Sequence, residues 1–267
     1  MSAPARSALK VGVQLHPQQC TYQQFRDAVL RMEALGVDSI WNWDHFYPLY
    51  GDPDGPALEG YTVLAAMAEM SSRAAIGCMV TCNSYRNPAL LSKMATTIDH
   101  ISGGRFTLGI GAGWFEREYR DYGYEFGTAT TRLHDLEAAL PIIKERWAKD
   151  SPPPVRGTIP ILIGGEGEKI TLRITAQYAD AWNGFGGVEN WRRKNRVLDD
   201  WCRQLGRDPA EIERTASIGV EDLAHLDALA DAGCHHVILG FGPPFDGKPV
   251  ERLVAWRNQR NRASARA

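Results

Sequence analysis

The stretch KVGVQLHPQQCTYQQFRDAVLRMEALGVDSIWNWDH, residues 10–45, holds one complete strand, helix, strand unit. Val11, Val13 and Leu15 alternate as a short strand does. Thr21 and Gln24 stand at capping-box spacing before a helix whose Phe25, Ala28, Val29, Met32 and Leu35 share one face, and Gly36 ends it. Ser39 to Asp44, rich in Ile and Trp, reads as the second strand.

The same alternation continues outward to the C-terminus. A helix over 61–72 precedes a strand Ala75 to Val80, and Pro88 opens a helix striped with Leu91, Met94, Ala95, Ile98 and Ile101. Phe106 to Ile110 is the next strand. Leu133, Leu136, Leu140, Ile143 and Trp147 step as a helix does, with Pro141 predicting a kink or break, and Ser151 to Pro154 stops the run. Further strands are expected at 160–164, 181–184, 215–220 and 236–241, with helices over 168–178, through Trp191, Leu198, Trp201 and Leu205, through Leu223, Leu226 and Leu229, and through Val250, Leu253 and Val254. Eight such units over about 260 residues predict a single closed (β/α)8 TIM barrel, residues 1–267, with 1–10 and 261–267 expected to be flexible ends. An open doubly wound sheet is the rival. It is disfavoured because no GxGxxG follows the first strand; Gly109, Gly111 and Gly113 have a different spacing.

The 267 residues are 44% hydrophobic and 23% charged, ordinary globular values that exclude collagen-like, disordered and disulfide-scaffold chains. A formal net charge of -2 gives no electrostatic reason to expect nucleic acid or an anionic membrane as partner, so a small molecule is expected instead. No apolar run is long enough to span a bilayer and the first ten residues lack the apolar core of a secretion signal, so a cytoplasmic protein is expected. Its five cysteines are odd in number and scattered, which fits a reducing compartment; Cys78 and Cys82 read as apolar packing before a redox pair.

Barrel active sites lie at the C-terminal strand ends, which here carry Asp44-His45 after strand two, Thr81, Cys82, Asn83 and Arg86 after strand three, and Gly111-Ala112-Gly113-Trp114 after strand four. Gly164-Gly165-Glu166-Gly167 follow strand five and Trp182-Asn183 strand six. Glycine in a strand weakens it unless something must approach the backbone. The turn 164–167, opening a helix expected near Glu168, can offer amides to a phosphate or be a plain helix cap. His45 can exchange a proton near neutrality with Asp44 orienting it, or the two can be a local structural pair. Trp41, Trp43, Trp114 and Trp182 are expected near one rim, as pocket wall or core. The seven histidines show no metal-ligand spacing, and no nucleophile motif is present, so no metal is expected and a cofactor must carry the chemistry.

Taken together, Glu33 to Trp41 leading to Asp44-His45, Tyr85 to Pro88, Asp99 to Phe106 with Leu108 to Trp114, and Ile163-Gly164-Gly165 with Ala179 to Asn183 resemble the luciferase-like monooxygenase superfamily, and within it the oxidoreductases that use the deazaflavin coenzyme F420. The resemblance runs from Val11 to about Arg257. It implies a barrel with a bulge and a cis peptide at Met79-Val80 under the coenzyme ring, with Thr81 and Asn83 beside it and Gly111 to Trp114 flanking it. It also implies Gly164 to Gly167 at the phosphate, Trp182 nearby, and His45 in proton transfer, with Glu118 a structural residue. Relatives that oxidise sugar phosphates carry a glutamate where Trp114 stands and a tryptophan where Leu49 stands, so a different substrate is expected.

These readings predict hydride transfer between F420 and a small unsaturated or carbonyl compound. The alternatives are an FMN-dependent monooxygenase served by a partner reductase, a non-catalytic coenzyme-binding protein, and, least supported, a metal-dependent hydrolase. The aromatic, mostly uncharged loops after strands two to four favour an apolar or planar substrate. A homodimer is a further expectation, with Trp147, Trp191 and Trp201 as exposed interface candidates.

Overall fold

The computed structural model describes residues 8–265. In chain order its elements are β1 (Lys10–Leu15), α1 (Tyr22–Leu35), β2 (Ser39–Asn42), α2 (Gly60–Met70), β3 (Ala75–Cys78), β4 (Thr81–Cys82) and α3 (Pro88–Ile101). There follow β5 (Phe106–Gly111), α4 (Glu116–Tyr122), α5 (Ala129–Lys149), β6 (Ile161–Gly164), α6 (Thr171–Tyr178) and β7 (Ala181–Gly184). The chain ends with α7 (Val188–Gln204), β8 (Glu213–Ile218), α8 (Leu226–Asp231), β9 (His236–Phe241) and α9 (Lys248–Ser264). Every strand pairing is parallel, and β1 closes on β9 from Lys10↔His236 to Leu15↔Phe241. This is the expected closed barrel, with β3 and β4 as two pieces of one staff.

Alternation sorts the side chains. Val11, Val13 and Leu15 join the main core between sheet and helices, while Trp41, Met79, Leu162, Ala181 and Ile238 pack together inside the barrel. The expected caps form: Thr21 and Gln24 make a reciprocal box on α1, Gly36 takes the left-handed conformation at φ 92°, and Asn87 caps α3 ahead of Pro88.

The break between β3 and β4 is a β-bulge. Gly77 pairs with Thr107, thirty positions on, but Thr81 pairs with Ile110, twenty-nine on, so β3–β4 holds one extra residue against β5. The Met79-Val80 peptide within it is cis. Its neighbours make room: a Cβ at Gly109 would lie 2.0 Å from the Cys78 carbonyl oxygen, a contact no side chain tolerates. From across the barrel Gln14 Nε2 donates to the Met79 carbonyl, and the Met79 amide donates to the Asn42 carbonyl at 2.9 Å.

Several expectations need correction. Pro141 does not break α5, which runs unbroken from Ala129 to Lys149; the proline sits on the exposed face, where water can meet the carbonyl it leaves unbonded. The helix after β6 begins at Thr171 rather than near Glu168, because a turn over 168–170 intervenes. Part of the expected flexible ends lies outside the described residues. Within them, Lys10 opens β1 and α9 continues to Ser264, with Leu9 and Asn261 exchanging two hydrogen bonds of 2.9 and 3.0 Å. Trp147 and Trp191 are buried in the core, and the half-buried Trp201 donates its indole N–H to the Glu168 carbonyl, so none of the three offers an exposed face. All five cysteines are free and buried. No helix among the described residues is long and apolar enough to cross a membrane.

Candidate active site

The C-terminal strand ends enclose a cleft of about 580 Å³. Its floor follows from the bulge: Val80 points inward with Met79 and nests between two glycines. A Cβ at Gly111 would lie 2.8 Å from Val80 Cγ2, and one at Gly164 would lie 2.7 Å from Cγ1. Those two glycines, whose presence suggested close approach of a ligand, therefore first admit a side chain of the protein itself. The result is an apolar shelf.

Beyond the shelf, Gly165 adopts φ +128°, a conformation that disfavours side chains, and Thr171 lines the same end. The Gly165 amide reaches the Asn183 carbonyl at 3.3 Å, whereas the amides of Glu166 and Gly167 meet no protein acceptor among the described residues. Glu166 turns its carboxylate away, accepting from the Phe185 amide and Asn190 Nδ2 at 2.8 and 2.9 Å. Unpaired N–H groups before a helix are anion acceptors in waiting.

On the far side of the mouth, after β2, stands His45. Its Nδ1 lies 3.0 Å from Glu118 Oε2, and the carboxylate also accepts from the Phe46 and Tyr47 amides at 2.5 and 3.1 Å and from the Tyr85 hydroxyl at 2.6 Å. Burial pushes the Glu118 carboxyl up, but His45, Tyr85 and the Tyr47 amide together hold it below its ordinary value. An ionised Glu118 fixes the proton on Nδ1 and leaves Nε2 as the working nitrogen. Asp44 does not orient His45. Fully buried, it binds Arg86 through two bonds of 2.6 and 2.9 Å and accepts from the Cys82 amide at 3.0 Å. Burial raises its carboxyl from the ordinary value and Arg86 opposes the rise. The pair locks the end of β4 to the end of β2.

Met79, Val80, Thr81, Gly111, Ala112, Gly113, Trp114, Gly164 and Gly165 line the cleft with His45, and Asp44 reaches its edge. Asn83, Glu166, Gly167 and Trp182 do not. Asn83 is buried in the turn after β4, Gly167 is exposed, and Glu166 is tied to the segment before α7. Trp182 is 0% exposed on the outer face of β7, packed on Trp191 and donating to the Gly165 carbonyl at 2.9 Å. Trp41, by contrast, is buried inside the barrel, so of the four only Trp43 and the 62% exposed Trp114 serve as the expected aromatic rim. Reasoning from sequence passed over Gln14, His16, Thr171 and Ser217 and named Asn183 only as a strand end; all five line the cleft, from the inward face of their strands or from the start of α6. The signal was available: Gln14 and His16 are the alternates of Val13 and Leu15, and Asn183 that of Trp182. Among the described residues no cluster of three or more His, Cys, Asp or Glu side chains could hold a metal.

Comparison with known proteins gives a family match: the profile for luciferase-like monooxygenases covers residues 7–266. The F420-dependent glucose-6-phosphate dehydrogenase of Amycolatopsis mediterranei (strain U-32) is 31% identical over 144 residues, spanning 54% of this chain and 43% of that one. The phthiodiolone/phenolphthiodiolone dimycocerosates ketoreductase of Mycobacterium bovis (strain BCG / Pasteur 1173P2) is 29% identical over 246 residues, 78% of this chain and 63% of the relative. The chain thus spans about half the length of these curated relatives. In fold it is similar to an F420-dependent secondary alcohol dehydrogenase solved with an F420-acetone adduct, at TM-score 0.83 and 16% identity over 93% of this chain and 98% of the other. It is also similar to the coenzyme F420 dependent tetrahydromethanopterin reductase of Methanopyrus kandleri, at TM-score 0.77 and 15% identity over 93% and 98%.

Proposed function

The chain belongs to the luciferase-like monooxygenase family, and from that premise we propose that it is an oxidoreductase moving a hydride between coenzyme F420 and an organic substrate. The observation that carries the reading is the Val80 shelf with the unpaired amides of Glu166 and Gly167 beyond Gly165 and an imidazole across the mouth. A flat tricyclic ring fits an apolar shelf, and a phosphate fits N–H donors at a turn with no opposing carboxylate. Val80, Gly111 and Gly164 would hold the ring; Gly165, the amides of Glu166 and Gly167, and Thr171 would hold the phosphate. Trp182 would act behind that turn, steadying the Gly165 carbonyl.

When bound, the deazaflavin supplies or accepts the hydride. In the reducing direction a His45 carrying protons on both ring nitrogens would give its Nε2 proton to the substrate oxygen and keep the Nδ1 proton toward Glu118, so a carbonyl would become an alcohol; in the reverse direction the bare Nε2 would take the proton back. Glu118 acts as a positioning residue, holding the ring and its tautomer. With coenzyme and substrate bound, the shelf and the aromatic walls would position the reacting carbon.

Parallel titration of the purified protein with F420 and with FMN tests this. F420 is expected to bind and FMN to bind at least about tenfold more weakly, and Gly165→Asp, which adds a carboxylate and a Cβ at φ +128°, should abolish F420 binding. Tight FMN binding with oxygen uptake, or no binding of either, overturns the assignment.

A further inference from the structure

Gln14 and His16 are the inward-facing residues at the end of β1, and of their two side chains Gln14 alone hydrogen-bonds protein among the described residues, through the Met79 carbonyl. His16 is 7% exposed, its ring stacked on Trp43 at 3.9 Å and 8°, with Tyr50 5.7 Å away. Neither ring nitrogen meets a hydrogen-bond partner among the described residues, and both belong to a side chain that lines the cleft. Gly240 preserves that opening, since a Cβ there would stand 3.3 Å from Nε2. The ring is mostly covered but its nitrogens are not sealed off from the cleft, so they are free to bond whatever polar atom fills it.

The charges around it set the class of molecule. Asp44 is neutralised by Arg86, which also binds Glu59. Arg132, the cationic side chain that lines the cleft, donates Nε to the Gly113 carbonyl at 3.2 Å and another nitrogen to the Phe126 carbonyl at 2.7 Å. Trp43, Tyr50, Trp114 and Phe185 supply flat apolar wall. An anionic substrate pressed against these rings would lose hydration with little to replace it.

We propose that His16 hydrogen-bonds an oxygen of the substrate, and that the substrate is an uncharged, flat, oxygen-bearing ring compound of one or two rings rather than a phosphorylated sugar. The size limit follows because about 580 Å³ must house the coenzyme ring as well. Burial, and then the neighbouring His45, lower the His16 pKa to about 4, so the imidazole meets such a ligand uncharged at neutral pH. The inference deepens the redox reading and rests on it for the identity of the reacting partner, but recognition can be measured without turnover.

The probes are 2-acetonaphthone, its oxygen-free analogue 2-ethylnaphthalene and 1-naphthyl phosphate, followed by quenching of tryptophan fluorescence with and without coenzyme. The ketone is expected to bind at least about tenfold more tightly than the phosphate. His16→Phe, which keeps a ring on Trp43, should weaken the ketone about fivefold and leave the hydrocarbon unchanged. His16→Asn, which can still hydrogen-bond, should recover part of the loss and serves if the phenylalanine variant does not fold. Equal binding of phosphate and ketone, or ketone affinity indifferent to His16 in both variants, overturns the proposal. Failure of F420 to bind would overturn the redox reading instead, while the ketone series on the coenzyme-free protein would still decide this one.

Discussion

Two imidazoles open onto one cleft and are held in opposite ways. His45 is gripped by a carboxylate that itself accepts from two backbone amides and a tyrosine hydroxyl; the His16 ring is held by stacking on Trp43 and has no hydrogen-bond partner among the described residues. The contrast teaches how a single rim supports two tasks. A carboxylate partner fixes a tautomer and prepares a ring to pass a proton, whereas an aromatic neighbour fixes position and leaves the charge state to burial.

The comparison can be broken from the His45 side first. His45→Ala is expected to lower turnover about a thousandfold with coenzyme affinity little changed, read by single-turnover kinetics beside equilibrium titration; an unchanged rate removes His45 from the mechanism. On the other side, the His16 pKa falls from 6.5 to about 4 on folding, so the unfolded chain binds the extra proton in that window. Stability should be undiminished above pH 6.5 and decline by about 3 kcal/mol from this group as pH drops toward 4. Denaturant melts of His16→Phe should lack that component of the slope. Glu118→Gln keeps the shape of the carboxylate but loses its charge, and should cost about tenfold in turnover while shifting the pH–rate profile and sparing KM. The smallest effect is expected from Trp43→Phe, a loss of about 1 kcal/mol of stability from poorer stacking on His16, with the proton-transfer step nearly intact.

The barrel was legible because its decisive signal is local. Val11, Val13 and Leu15, the Thr21 box and Gly36 each declare themselves within a few residues, and repeating the unit leaves one economical way to close the sheet. The same strand also displayed its inner face, yet Gln14 and His16 are recognised as cleft residues only once the apolar set is known to face the helices. Trp182 shows the converse. Its chemistry suits a rim, but position within β7 turns Asn183 inward and the indole outward. The Glu118–His45 bond links residues 73 apart, and the Arg86–Asp44 lock spans 42, distances over which no periodicity signals a contact. The glycines at 109, 111 and 164 were visible as an anomaly, but the atoms demanding space there were the Cys78 carbonyl and Val80, supplied by a bulge no pattern announces.

That bulge makes the site a matter of parity. With one surplus residue against β5, both Met79 and Val80 face the barrel's interior, and everything downstream is counted from the shifted register. Deleting a single residue there would leave Gly77 and Thr81 opposite Thr107 and Ile110 in an unbroken ladder, yet it would erase the ledge. The fold would survive the arithmetic; the place where a coenzyme could lie would not.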